Sequence, residues 1–264
     1  MSTKADRILV LIPCYNCEKQ VGRVLGQFAG EAGQAVEQVL VLDNQSRDGT
    51  IQAALDHASL VRGARVIVGR NKDNYNLGGS HKAAFAYARE QGFTHVVTLH
   101  GDDQGRIDDL LPILAAGDHR THDACLGSRF ARGSRLENYS RFRIFGNHVF
   151  NALFTAGAMT RITDLGSGLN IFGERVFTDP HVHRWSDDLR FNVYLLLGMI
   201  EQKMKIEYFP ISWREDDQVS NVKMTSQALK TLDILRDYTL QRKHFMTTDH
   251  RAVPHERYAF DVVG

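Results

Sequence analysis

Nothing in this sequence approaches the roughly 18 to 20 consecutive apolar residues of a membrane-crossing helix, although 43% of its residues are hydrophobic. The first apolar run, in MSTKADRILVLIP, is too short for a secretory signal and leads straight into polar turn residues. Cysteine is scarce. Cys14, Cys17 and Cys125 are the only ones in 264 residues, an odd count that suits a reducing compartment better than a disulfide framework. These absences predict a cytoplasmic protein. Net charge is nearly absent as well, at +1, which gives no support for a general nucleic-acid binder. Repeats and low-complexity linkers are missing too.

What is present is a rhythm. Continuous apolar runs at Ile8 to Ile12, Val39 to Leu42, Arg65 to Val68, Val96 to Leu99 and Ala124 to Leu126 suit strands covered on both faces. Between them lie segments with helical spacing, such as Val21, Val24, Leu25 and Phe28, or Ile107, Leu110, Leu111 and Leu114. Strand and helix alternating at this spacing predict right-handed βαβ units, an α/β fold and a mostly parallel sheet. Beyond residue 130 the rhythm breaks. Residues 138–159 read as amphipathic helix, Gly166 to Phe172 as a turn into a strand, and Leu189 to Ile200 as helix. Lys205 to Phe209 reads as strand, Ser226 to Tyr238 as helix, and the tail from Gln241 shows no period.

In an open parallel sheet, ligands bind outside the carboxyl ends of the strands. The residues there are Pro13-Cys14-Tyr15-Asn16, then Asp43 to Thr50, then Asn76 to Gly79, then His100 to Gln104, then Gly127 to Arg129. Asp43 suits hydrogen bonds to a base or ribose, whereas Asp48 reads as a helix cap. Asp102 and Asp103, with Gln104, offer oxygen ligands for Mg²⁺ or Mn²⁺, and His100 is a candidate nitrogen ligand better suited to Mn²⁺. Such a cation would neutralise a departing diphosphate. Gly78 and Gly79 lie where backbone N–H groups approach an anion, and Lys82 lies one turn further on, within reach of a phosphate. Arg129 directly follows a strand and suits phosphate through its planar fork.

The motifs resemble glycosyltransferase family 2. VLIPCYN is similar to that family's VVIPxYN, VLVLDNQSRDGT to VVDDGSxDGT, and NLGGSHKAA to GLGGAxRxG, while LHGDDQ stands at its DxD metal motif. GSRF, RFRIFGNHVFNALF, DLGSGLNIF and PISWRE resemble the polyprenyl-phosphate sugar transferases, such as dolichol-phosphate mannosyltransferase. The resemblance runs in family order from about Ile8 to Lys223. It implies a GT-A fold and inverting, metal-dependent transfer from a nucleotide-diphosphate sugar to a lipid phosphate or a saccharide. It implies Pro13, Tyr15, Asn16, Asp43 and Asn44 around the base and ribose, with Asp102 and Gln104, or Asp103, at the metal. Arg129 and Arg214 would hold phosphate, and Asp164 would lie near the acceptor. Residues 1–130 then form a nucleotide-sugar half, 131–240 an acceptor half, and 241–264 a tail.

There are departures. Asn44 replaces the second aspartate of DDGS, and His100 the first of DxD. Asn192 stands where members often carry an acid. A charged acceptor such as a lipid phosphate needs no strong base, whereas a sugar hydroxyl would need one, with Asp164 the best candidate. Residues from Trp213 to Lys223 resemble a phosphate-gripping loop. Three other readings compete: a Cys14–Cys17 redox pair, a metal phosphoesterase suggested by Gly101-Asp102 and Gly146-Asn147-His148, and a catalytically inactive nucleotide-binding domain. The arginines and phenylalanines of residues 138–159 also predict reversible contact with a membrane surface.

Overall fold

A computed structural model describes residues 5–216 and 224–264. The apolar runs form β1 (Ile8–Cys14), β2 (Gln38–Asp43), β3 (Arg65–Asn71), β4 (His95–Leu99) and β5 (Ala124–Ser128). Later come β6 (Arg135–Glu137), β7 (Leu169–Gly173), β8 (Ile206–Pro210), β9 (Ser212–Arg214) and β10 (Phe260–Val262). The helices of the first half are α1 (Val21–Gly26), α2 (Glu31–Gln34), α3 (Thr50–His57), α4 (Asn76–Gln91), α5 (Leu111–Ala116) and α6 (Asp118–Thr121). Those of the second half are α7 (Arg141–Ala158), α8 (Glu174–Phe177), α9 (Phe191–Glu201), α10 (Met224–Leu240) and α11 (Arg242–Thr247).

Eight strands make one sheet in the order β10-β3-β2-β1-β4-β7-β5-β8, and β6 pairs with β9 apart from it. The pairs β1–β2, β1–β4, β2–β3 and β5–β8 are parallel. Successive side chains of a strand face opposite sides. Leu9, Leu11, Leu40 and Leu42 accordingly enter the core on one face, and Val10, Ile12, Val39 and Val41 the core on the other. Burial on both faces is why these strands carry no polar alternation. The result is the mostly parallel, helix-flanked arrangement expected of a GT-A fold.

Two features complete the sheet. β7 runs antiparallel between β4 and β5, so residues beyond 130 lie inside the same sheet as the first five strands. The tail from Gln241, expected to be irregular, forms α11 and then β10, which pairs antiparallel with β3. The open edge of β3 needs hydrogen-bond partners, and a three-residue strand leaves no readable period. Phe260 closes this edge so tightly that a Cβ on Gly69 would come within 2.6 Å of its ring.

Candidate active site

The carboxyl ends of β1, β2 and β4 are stitched together by backbone. The Asn44 N–H donates to Cys14 O at 2.8 Å, and the Gly101 N–H donates to Pro13 O at 3.2 Å. The loop after β1 is fastened to the loop after β2: Asn16 N–H donates to Ser46 Oγ, and Arg47 N–H donates to Asn16 Oδ1, both at 2.9 Å. Asn16 holds this shape at φ 55°, a left-handed conformation that asparagine tolerates. Tyr15 projects from the same loop, 47% exposed.

Asp43 and Asp102 lie on either side of Cys14. The Cys14 thiol is pushed well up in pKa by its hydrogen bond to Cys17, by burial, and by the charges of Asp43 and Asp102. Both acids therefore act on one spot at the tip of β1. A raised thiol pKa is also the reverse of what a reactive redox pair needs, and all three cysteines are buried and free.

Asp43 is buried beneath its own turn. It accepts the Ser46 N–H at 3.2 Å, and the Arg70 guanidinium lies 3.6 Å away. Asn44 is held within the fold. Its Oδ1 accepts from Asn71 Nδ2 and the Tyr75 N–H, each at 2.9 Å, and its Nδ2 donates to Asn74 Oδ1 at 2.8 Å. An aspartate cannot donate, so asparagine suits this junction between β2, β3 and α4 better than a second acid would. Asp48 is the cap expected, accepting the Thr50 N–H at 3.1 Å.

The glycines of NLGG serve packing. The Gly78 N–H donates to Asp187 O at 2.6 Å, and a Cβ there would lie 2.6 Å from Ser186 O. Their N–H groups face protein rather than an anion. Lys82 is likewise turned inward, contrary to the expectation that it reaches phosphate. Its ammonium donates to Asp187 Oδ1 at 2.6 Å and to the Trp185 carbonyl. Burial lowers its pKa to about 8 despite Asp187. Tyr258 of the tail also donates to Asp187, at 2.8 Å.

The acidic pair after β4 divides its labour. The Asp103 side chain is 1% exposed and bound by Arg23 Nε at 2.7 Å, by Gln27 Nε2 at 3.1 Å and by the Arg214 guanidinium. Two arginines thus occupy its carboxylate. Asp102 differs: burial raises its pKa to about 6, while the Gln104 N–H, donating to its Oδ1 at 3.3 Å, pulls the other way. A desolvated carboxylate is the group that a divalent cation stabilises. Mg²⁺ and Mn²⁺ take one or two protein carboxylates alongside phosphate and water. No group of three or more His, Cys, Asp or Glu suited to a metal occurs among the described residues. Asp102 with Gln104 fits so sparse a donor set. His100 is neutral, its pKa lowered to about 4 by burial and the Arg129 charge, and its buried Nε2 lacks a partner among the described residues.

Arg214 reaches this loop rather than open solvent. Besides its bond to the Asp103 carboxylate, its N–H donates to Gln104 O at 3.0 Å and its Nε to Asp103 O at 3.2 Å. The neighbouring Trp213 packs with His100 against Gly168, where a Cβ would meet the two rings at 3.0 and 2.9 Å. Arg129 stands over Trp213 with its guanidinium 5.3 Å from the ring centroid, flanked by Tyr139 and Phe130. Asp164 is not placed as a base: its Oδ2 accepts Arg129 Nε at 2.8 Å and its Oδ1 accepts Arg129 Nη2 at 2.7 Å. Asn192 lies beside it across a small cavity that also touches Gly127 and Gly166. The loop from Asp217 to Lys223 lies outside the described residues.

Sequence reasoning missed Arg23, Gln27, Arg70 and Tyr139. Arg23 sits on α1 and Gln27 caps its C-terminus, about 80 residues before the loop they hold, and no local pattern links them to it. Gly146, Asn147 and His148, the basis of the phosphoesterase reading, fall within α7.

The chain is 26% identical over 167 residues to an uncharacterised protein of Methanocaldococcus jannaschii, covering 63% of this chain and 65% of that one, just under two thirds of the relative. It is 24% identical to a UDP-N-acetylglucosamine–dolichyl-phosphate N-acetylglucosaminyltransferase of Methanococcus voltae, over 64% of this chain and 71% of that one. In fold it resembles glucosyl-3-phosphoglycerate synthase of Mycobacterium tuberculosis. A complex of that protein with Mn²⁺, UDP and phosphoglyceric acid matches at a TM-score of 0.64 and 13% identity, over 98% of this chain and 87% of that one. Its complex with UDP alone matches at 0.62 and 14%, over 88% and 79%. A family model described as glycosyl transferase family 2 matches residues 9–179, and the chain belongs to that family.

Proposed function

We propose that the protein transfers a sugar from a nucleotide-diphosphate donor, with inversion, to an acceptor that is a lipid phosphate or a saccharide. The observation that carries this reading is that Asp43, in register with Cys14, and the Gly101-Asp102 turn, whose Gly101 N–H donates to Pro13 O, meet at the tip of β1 on the sheet's carboxyl edge. One nucleotide can then span the base side, at Tyr15 and Asn16, and the diphosphate side, at Asp102 and Gln104. Mg²⁺ or Mn²⁺ held by Asp102 and Gln104 would neutralise the charge that the departing diphosphate develops. Asp43 would position the ribose side from beneath its turn, and Arg129, oriented by Asp164, would attract an anionic group on the acceptor side.

A phosphate-bearing acceptor suits these residues better than a neutral hydroxyl. With Asp164 spent on Arg129 and Asn192 unable to take a proton, neither candidate is free to act as base. A phosphate monoester is already anionic and attacks without one. The relative from M. voltae is named for a dolichyl-phosphate acceptor, and the M. tuberculosis enzyme was crystallised with phosphoglyceric acid. Both names point to phosphate-bearing acceptors.

Peripheral membrane contact fits the same reading. α7 presents Phe142 at 73%, Phe145 at 68%, Val149 at 40% and Leu153 at 43% exposure along one stripe. No acidic residue occurs between 138 and 163, while Arg141, Arg143 and Arg161 do. A basic apolar helix surface of this kind lies on anionic bilayers. No described helix is long and apolar enough to cross one. The proposed setting is the cytoplasm, at a membrane surface.

The test is a thermal-shift screen of nucleoside diphosphates and their sugars with Mg²⁺ and Mn²⁺, followed by turnover of the best donor. A ligand that binds only the native state raises the melting temperature. Metal-dependent stabilisation by one nucleotide, with nucleotide-diphosphate release, is expected. Binding without release from any donor would favour the inactive nucleotide-binding reading, which the altered His100 and Asn192 positions motivate.

A further inference from the structure

The largest cavity described lies away from the strand tips, on the outer side of β8. It has a volume of about 640 Å³, and its walls come from the segment after β5, the segment after α7, and the turn between α9 and β8. Among the described residues β8 is an edge strand with β5 as its one neighbour in the sheet, so no described strand covers this side.

The wall is chemically two-sided. Phe130, Ile200, Met204 and Ile206 supply an apolar floor. Arg132, Arg161 and Lys203 supply three cations, and Glu207 is the one acid. Among the described residues none of the three cations forms an ion pair. Lys203 also holds a left-handed backbone at φ 52°, where glycine or asparagine is usual. Thr163 and Tyr208, also in the wall, have buried hydroxyl oxygens without a hydrogen-bond partner among the described residues. Buried polar groups are normally satisfied, and an exception needs an explanation.

We infer that this cavity is a second ligand site, taking an organic anion with an apolar body, such as an amphiphilic phosphate monoester. The apolar floor buries the body. The cations neutralise the head, and the hydroxyls of Thr163 and Tyr208 donate to its oxygens. Thr163 immediately precedes Asp164, and Phe130 immediately follows Arg129. The cavity therefore backs onto the Arg129–Asp164 pair and shares with that site the Phe130 ring that flanks Arg129.

The test is calorimetric titration of the full chain with decyl phosphate below its micelle concentration, beside inorganic phosphate and decanol. One decyl phosphate per chain is expected, with both controls at least tenfold weaker. Arg161→Glu combined with Lys203→Glu should weaken decyl phosphate at least tenfold and leave Mn²⁺-dependent UDP binding within twofold. Phe142→Glu combined with Phe145→Glu, which alters the exposed face of α7, should leave decyl phosphate binding unchanged. Absence of binding overturns the inference. So does binding that survives the charge reversal, or binding that follows α7. Inorganic phosphate binding as tightly as the alkyl ester would reduce the cavity to a plain anion site and overturn it too. Loss of UDP binding in the unaltered chain would instead strike at the proposed function.

Discussion

Arg129 and Asp164 are joined by two parallel hydrogen bonds, Nε to Oδ2 at 2.8 Å and Nη2 to Oδ1 at 2.7 Å. A third bond runs from the Arg129 N–H to the same Oδ2 at 3.0 Å. The Asp164 side chain is 1% exposed and that of Arg129 12%. Removing one partner of a buried pair typically costs about 3–5 kcal/mol. Asp164→Asn should lower the melting temperature sharply, which differential scanning calorimetry reads directly. Donor affinity should stay near that of the unaltered chain at temperatures where the variant is folded. Unchanged stability with loss of the acidic limb of the pH–rate profile would restore Asp164 as a base.

Asp102→Ala should abolish the metal-dependent part of nucleotide binding and leave the circular-dichroism spectrum intact. Removing this buried acid also relieves its desolvation, so the fold should not suffer. Calorimetry of UDP or GDP with and without Mn²⁺ is the measurement, and equal affinities in the two chains would contradict the assignment.

Lys82→Met tests a correction. With its ammonium against Asp187 and Tyr258 close by, the lysine acts as an anchor for the segment before α9. The variant leaves a buried carboxylate without its cation, destabilising the fold by about 3 kcal/mol. Nucleotide affinity should move less than twofold. A large affinity loss without destabilisation would return Lys82 to phosphate binding.

Acid should unfold the protein early. Burial lowers His81 to about 3 and His100 to about 4. Both folded values lie below the ordinary value near 6.5, so the unfolded chain binds more protons. Their contribution to stability is complete above about pH 6.5 and is lost as pH falls toward 4. His81 is packed at 5.0 Å from the Phe191 ring and at 6.1 Å from Phe85. His81→Leu should shift the acid midpoint, followed by tryptophan fluorescence, to lower pH. A midpoint that stays in place would assign the acid lability elsewhere.

The exposed stripe of α7 predicts flotation with anionic liposomes and weaker flotation with neutral ones. Replacing Phe142 and Phe145 by glutamate removes apolar area and adds repulsion. It should abolish flotation without lowering the melting temperature, since both rings are already in water. Flotation that persists would exclude this face.

The alternation of apolar runs and helical segments was enough to read the parallel core, because strands buried on both faces must be apolar throughout. The strand tips were equally legible, since Asp43 follows its run directly and Asp102 and Arg129 each come within three residues of theirs. The partners of those residues were not legible. Asp102 and Asp103 are adjacent acids in the sequence, yet one is desolvated and the other is bound by arginines from α1 and β9. Gly78 and Lys82 have the composition of a phosphate cradle, and the segment around Asp187 takes both.

The sequence by itself determined the layers, the strand that each functional loop follows, and the family, because period, composition and short motifs are local. The tertiary structure alone decided that Asp103 is bound by Arg23 and Arg214, that Asp164 serves Arg129, and that the tail closes the sheet beside β3. These outcomes depend on contacts between residues far apart in the chain, such as the 111 positions that separate Asp103 from Arg214. Burial and pairing at such distances set charge and hydrogen bonding, and no local pattern encodes them.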